Sequence, residues 1–108
     1  MYNNFDVIGT WLVIRVPKEL DHHNAEMIRK EADRYIEREN IQSIIFDFQD
    51  TVFMDSSGIG TIMGRYKKVK FSGGNVIAVH TNDRVKRIFL LSGLNKIITT
   101  YDEMPKQI

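Results

Sequence analysis

Two runs, Ser43-Ile44-Ile45-Phe46-Asp47-Phe48 and Asn75-Val76-Ile77-Ala78-Val79-His80, are almost unbroken in β-prone residues and begin 32 positions apart. Runs of this kind suit strands covered on both faces, the habit of parallel sheets. Between them a helical period intervenes, with Ile59, Ile62, Met63, Tyr66 and Val69 at i, i+3, i+4, i+7 and i+10. A strand, a helix and a second strand at that spacing make a parallel crossover unit. The chain is therefore constrained to an α/β fold before any other residue is considered.

The remaining segments extend the alternation. Phe5–Ile8 and Trp11-Leu12-Val13-Ile14-Arg15-Val16 flank a Gly9-Thr10 turn and read as a hairpin that Pro17 ends. Ala25, Ile28, Ala32, Tyr35 and Ile36 mark a helix running to about Glu39, with Asp21 and Asn24 both suited to cap it. Gln49 to Met54 reads as a loop, and Asp55-Ser56-Ser57-Gly58 opens the second helix, which Ser72-Gly73-Gly74 stops. A third helix follows Thr81, Asn82 or Asp83, turns Val85, Ile88 and Phe89 inward, and closes at Ser92-Gly93. Lys96 to Thr100 reads as a last strand before a polar tail, in which Pro105 opposes a long helix. The order ββαβαβαβ implies right-handed crossovers and a mixed, mostly parallel sheet of about five strands flanked by helices.

At 108 residues the chain is expected to be a single domain over 1–108. It has no cysteine, which excludes disulfides and thiolate chemistry, and no apolar run near the roughly 20 residues of a membrane span. MYNNFDV lacks the features of a secretory signal, so a cytoplasmic protein is expected. Residues 1–58 hold 6 Lys/Arg against 11 Asp/Glu, and residues 59–108 hold 9 against 3. That asymmetry fits two solvated faces of opposite sign, or a partner surface with an electrostatic preference.

The chemistry concentrates in Phe53-Met54-Asp55-Ser56-Ser57-Gly58-Ile59-Gly60. The segment follows a central strand, so it lies at the carboxyl edge where α/β sheets carry their sites. Ser56 and Ser57 stand in the first turn of a helix, whose free N–H groups and positive dipole end favour a phosphate. Plain capping explains the same residues. Gly60 and Gly64 lie one turn apart and form a strip without side chains, at a helix-propensity cost of about 1 kcal/mol each. A flat docking strip accounts for that cost; a dinucleotide loop does not, because GIGTIMG has the wrong spacing.

Other chemistries find less support. His22 and Glu26 are i, i+4 but lack an evident third metal ligand, so no metal or other cofactor is expected. No G-x-S-x-G elbow accompanies the serines, and no phosphate loop is present, so the chain is not read as an enzyme. Asp47, Asp50 and Asp55 lack the acidic pair of a receiver domain. The basic residues Arg65, Lys67, Lys68, Lys70, Arg84, Lys86 and Arg87 are expected on outer helix faces, without the aromatics or helix-turn-helix pattern of direct nucleic-acid binding. Of Leu90 and Leu91, only one fits the inward stripe.

Glu19-Leu20-Asp21-His22-His23, the Phe53–Gly60 segment, Gly64-Arg65-Tyr66-Lys67, and Lys86-Arg87-Ile88-Phe89 with Ser92-Gly93-Leu94 together resemble the anti-sigma factor antagonists, closest to those of the sporulation sigma-F pathway. The likeness spans about residues 5–100. It implies the STAS fold and partner switching. The unphosphorylated antagonist binds an anti-sigma factor that is also a serine kinase, which frees the sigma factor; the kinase uses ATP to phosphorylate the serine after the motif aspartate; a serine phosphatase reverses this. Carried onto this chain, the acceptor is Ser56, and Asp21, Ser57, Gly58, Gly60, Gly64 and Arg65 form the partner-binding face. The resemblance also implies a further C-terminal helix, and it departs at Pro17-Lys18, where relatives carry smaller residues. A STAS scaffold or a small-molecule- or nucleotide-sensing domain without a phosphoserine cycle is the alternative.

Overall fold

A computed structural model of the protein describes residues 4–106. Residues 1–3 and 107–108, which include the end of the polar tail and the limits of the expected domain, lie outside the described residues. The elements run β1 (Phe5–Ile8), β2 (Trp11–Arg15), β3 (Glu19–Leu20), α1 (His22–Arg38), β4 (Ser43–Asp47), β5 (Phe53–Met54), α2 (Ser56–Phe71), β6 (Val76–Val79), α3 (Asp83–Ser92), a 3-10 turn (Leu94–Lys96) and β7 (Thr99–Tyr101).

The five-stranded sheet has the order β1-β2-β4-β6-β7. β1 pairs with β2 antiparallel through the Gly9 turn, where φ is +61°, and every other neighbour is parallel. Each parallel strand lies one step further along the sheet than its predecessor. Right-handed crossovers stepping the same way place their helices on one face. The core agrees: Leu12, Ile14, Ile44, Phe46, Val76 and Ala78 alternate along three strands and join Ala25 and Ile28 of α1, Ile62 and Val69 of α2, and Val85 and Phe89 of α3. The opposite row, in which Val13, Ile45, Ile77 and Thr99 are register partners, carries no helix among the described residues. β4 is buried along its whole length, as its continuous apolar run predicts.

Three expectations are corrected. Lys96 belongs to the 3-10 turn that follows the left-handed Gly93 cap, so the last strand starts only at Thr99. The expected loop from Gln49 to Met54 contains β5, and the stretch before α1 contains β3; the two pair as a separate parallel ribbon. Leu90 and Leu91 are both exposed, at 65% and 74%.

Short polar contacts hold this ribbon to the sheet edge. The buried Thr51 hydroxyl donates to the Val16 and Pro17 carbonyls, each at 3.0 Å. Asn82 caps α3 through Val85 N–H and donates its amide to the Thr51 carbonyl at 2.9 Å. Val52 N–H then reaches the Lys18 carbonyl at 2.8 Å, which brings β5 against β3.

Candidate functional site

The ribbon sets the site by register. Glu19 stands opposite Phe53 and Leu20 opposite Met54, and the chain leaves both strands at the same level. Each strand is followed at once by an aspartate in extended backbone, Asp21 (φ −90°, ψ −176°) and Asp55 (φ −98°, ψ −175°). Asp21 Oδ1 accepts from Asn24 N–H at 2.9 Å, and Asp55 Oδ1 accepts from Gly58 N–H at 3.1 Å. Caps of this type contribute about 1 kcal/mol each to their helices. Two parallel helices therefore begin side by side, each with a carboxylate at its positive end. Asn24 is not the cap; its amide donates to the Glu19 carbonyl at 2.7 Å.

Ser56 is the first residue of α2 and is exposed. Ser57, next in the chain, is half-buried, and its hydroxyl lies 3.3 Å from His22 Nδ1 on the first residue of α1. Sequence spacing holds no signal for that contact, because 35 residues separate the two and only the β3–β5 register joins them.

The glycines divide into two kinds. A β-carbon on residue 60 or 64 would meet nothing within 4 Å among the described residues, so these two form an open strip beside the serines. Gly58 is buried, and a β-carbon there would lie 2.5 Å from the Leu20 carbonyl oxygen and 2.7 Å from Leu20 Cγ. Its missing side chain lets β3 and α2 touch; this is an internal task, beneath the face rather than on it.

Arg65 is likewise not on an outer face. It is buried between α1 and α2, with Nε 3.0 Å from Asp33 Oδ1, a charge contact rather than an aligned hydrogen bond. Burial pushes the guanidinium below its ordinary pKa, and Asp33 opposes that shift. Lys68 adds contacts to Asp33 at 3.5 Å and to Glu37 at 3.6 Å. Lys67, Lys70, Arg84 and Arg87 are exposed as expected, while Lys86 pairs with Asp102 at 2.8 Å. Along the N-terminal halves of α1 and α2 an open cleft of about 220 Å³ is lined by His22, Arg29, Ser57, Gly60, Thr61 and Arg65, among others.

The alternative sites have their residues engaged otherwise. Glu26 turns to Arg29 at 2.6 Å, which lowers the Glu26 pKa through their hydrogen bond and raises that of Arg29. Asp47 is buried; its Oδ1 accepts from Gln49 N–H and lies 2.9 Å from Nδ1 of His80, which has a φ of +54°. Among the described residues no helix is long and apolar enough to cross a membrane.

Residues 2–106 match the STAS domain family. The chain belongs to that family. The STAS domain is 41% identical over 91 residues to an anti-sigma F factor antagonist of Paenibacillus polymyxa, covering 84% of this chain and 78% of the relative. It is 35% identical over 83 residues to one of Lysinibacillus sphaericus, covering 77% and 71%. Among solved structures it resembles the anti-sigma factor antagonist SpoIIAA in its unphosphorylated form, with a TM-score of 0.79 and 32% identity over 89% of this chain and 84% of that one. It also resembles the phosphorylated form of the Bacillus protein, with a TM-score of 0.73 and 31% identity over 89% and 87%. The α/β fold, with three helices on a mixed five-stranded sheet among the described residues, is that of the family.

Proposed function

We propose that this STAS domain is an anti-sigma factor antagonist switched by phosphorylation of Ser56. The unphosphorylated chain binds an anti-sigma factor that is also a serine kinase, and binding releases the sigma factor. The kinase transfers the γ-phosphoryl group of ATP to Ser56, and a serine phosphatase restores the active form. The chain itself is a regulatory binding protein of the cytoplasm, not an enzyme.

One observation carries the reading: Ser56 is an exposed hydroxyl on the first residue of α2, beside the Asp21 and Asp55 caps and one turn from the open Gly60. A phosphate there brings nearly two negative charges to a helix start that tolerates them. The fold survives, while two neighbouring carboxylates and the new charge alter what can dock. Asp21, Ser57, Gly60 and Gly64 meet the partner in this reading, while the buried Gly58 lets the two helix starts approach and the buried Arg65 ties α2 to α1 further along, at Asp33. The antagonist names of the similar proteins, and a solved neighbour in phosphorylated form, support it.

The test is displacement. Added to a preformed complex of an anti-sigma F factor and its sigma factor, the unmodified chain is expected to release free sigma factor on size-exclusion chromatography. A complex left intact by excess chain would remove the antagonist reading.

A further inference from the structure

We infer that His22 decides which of the two adjacent serines is modified, by occupying the hydroxyl of Ser57 and leaving that of Ser56 free; the inference rests on the phosphoserine reading above. Ser56 and Ser57 are chemically identical, consecutive, and both in the first turn of α2. A kinase that recognises only the loop and the helix start would have little to separate them. Two features do separate them. Ser56 is exposed and Ser57 half-buried, and Ser57 Oγ lies 3.3 Å from His22 Nδ1.

The chemistry of transfer makes that contact matter. The serine oxygen attacks the γ-phosphorus of ATP, the bond to the departing ADP oxygen breaks, and the hydroxyl proton passes to a base on the kinase. The attacking oxygen therefore needs a free lone pair and a free proton, with its rotamer aimed outward. Ser57 has its oxygen on the imidazole in either tautomer: Nδ1 accepts the hydroxyl proton when bare, and donates to a lone pair when protonated. Its side chain points to the cleft shared with Gly60, Thr61 and Arg65. Reaction at Ser57 must first break this hydrogen bond; reaction at Ser56 does not. His22 is thus a positioning residue, brought to Ser57 across 35 residues by the Leu20–Met54 register.

The experiment uses the full chain, an anti-sigma F factor from the same organism and ATP, with tandem mass spectrometry to count phosphate on each serine. Wild type is expected to carry phosphate on Ser56. In His22→Ala the share on Ser57 relative to Ser56 is expected to rise by up to about tenfold, the factor that a net hydrogen bond of ordinary strength is worth. His22→Asn, whose amide can still hold the Ser57 hydroxyl, is expected to return the ratio toward wild type, a rescue that loss of a mere surface side chain would not show. Melting curves of both variants are expected to overlay wild type, because His22 is exposed. An unchanged ratio in His22→Ala, with Ser56 still modified, overturns the selection role alone. No phosphate on wild type overturns the phosphoserine reading itself, and the selection role with it.

Discussion

The carbonyl oxygen of Leu20 lies 2.5 Å from the point where residue 58 would carry a β-carbon, and residue 58 is glycine. The contact joins the end of β3 to the first turn of α2, next to the hydrogen bond from Asp55 N–H to the same carbonyl at 3.3 Å. It fixes how closely the two aspartate-capped helix starts approach, and hence where Ser56 stands relative to Asp21. A backbone oxygen cannot rotate away as a side-chain tip can. Gly58→Ala should therefore destabilise the domain by about 1–3 kcal/mol, the range for inserting atoms into a packed site, although alanine is the better helix former. Urea unfolding measures this; equal or higher stability would show that β3 is free to yield.

Gly60→Arg should behave in the opposite way. Nothing among the described residues lies within 4 Å of a β-carbon there, so the substitution should leave stability unchanged or raise it by up to about 1 kcal/mol through helix propensity. If the proposed antagonist reading holds, affinity for the anti-sigma factor should fall by at least about tenfold, because a long side chain then stands on the proposed docking strip. Calorimetric titration beside a melting curve separates the two effects, and intact affinity would move the interface away from this strip.

Asp33→Asn should cost about 2 kcal/mol. It leaves the Arg65 guanidinium, whose side chain is only 10% exposed, without the anion that faces Nε at 3.0 Å. The cost stays below that of a fully buried pair because Asp33 keeps 21% of its side chain in water. Chemical unfolding gives the number directly. A neutral outcome would mean that the attraction between the two groups no more than offsets their desolvation.

These three sites also mark where sequence reading succeeds and where it stops. The strand and helix alternation was legible because β4 and β6 are continuous apolar runs and each helix start carries a side chain that caps it, Asp21, Asp55 and Asn82. The buried stripe of α2 was less so. Gly58, Thr61, Ile62, Arg65 and Val69 face inward, while Ile59, Met63 and Tyr66 only flank the core. Apolar periodicity followed the flanking residues, because a glycine, a threonine and an arginine paired to another helix bear no hydrophobic signal. β3 and β5 span two residues each, too short for a period of two to register. The His22–Ser57 contact depends on their pairing, so it was invisible for the same reason. The Phe53–Gly60 segment stood out in the sequence by its motif and its place after β4, and the structure puts Ser56 exposed at the start of α2; its role as acceptor is the proposal made above.

Ser56→Asp tests the charge mechanism apart from the chemistry. A carboxylate on the first residue of α2 complements the helix dipole, so the melting temperature should hold or rise slightly. Binding to the anti-sigma factor should weaken by about tenfold or more, since the added charge stands with those of Asp21 and Asp55 on the proposed docking face. Raised salt should narrow the gap between variant and wild type, as screening shortens the reach of exposed charges to about 8 Å at physiological ionic strength. Calorimetry at two salt concentrations reads both effects.

The most direct measurement is phosphate transfer itself. The purified chain, incubated with an anti-sigma F factor from the same organism and ATP, is expected to gain the mass of one phosphoryl group, mapped to Ser56, while Ser56→Ala under the same conditions gains none. Modification of Ser56→Ala to the wild-type extent, or a wild-type chain that binds the anti-sigma factor yet acquires no phosphate, would contradict the account.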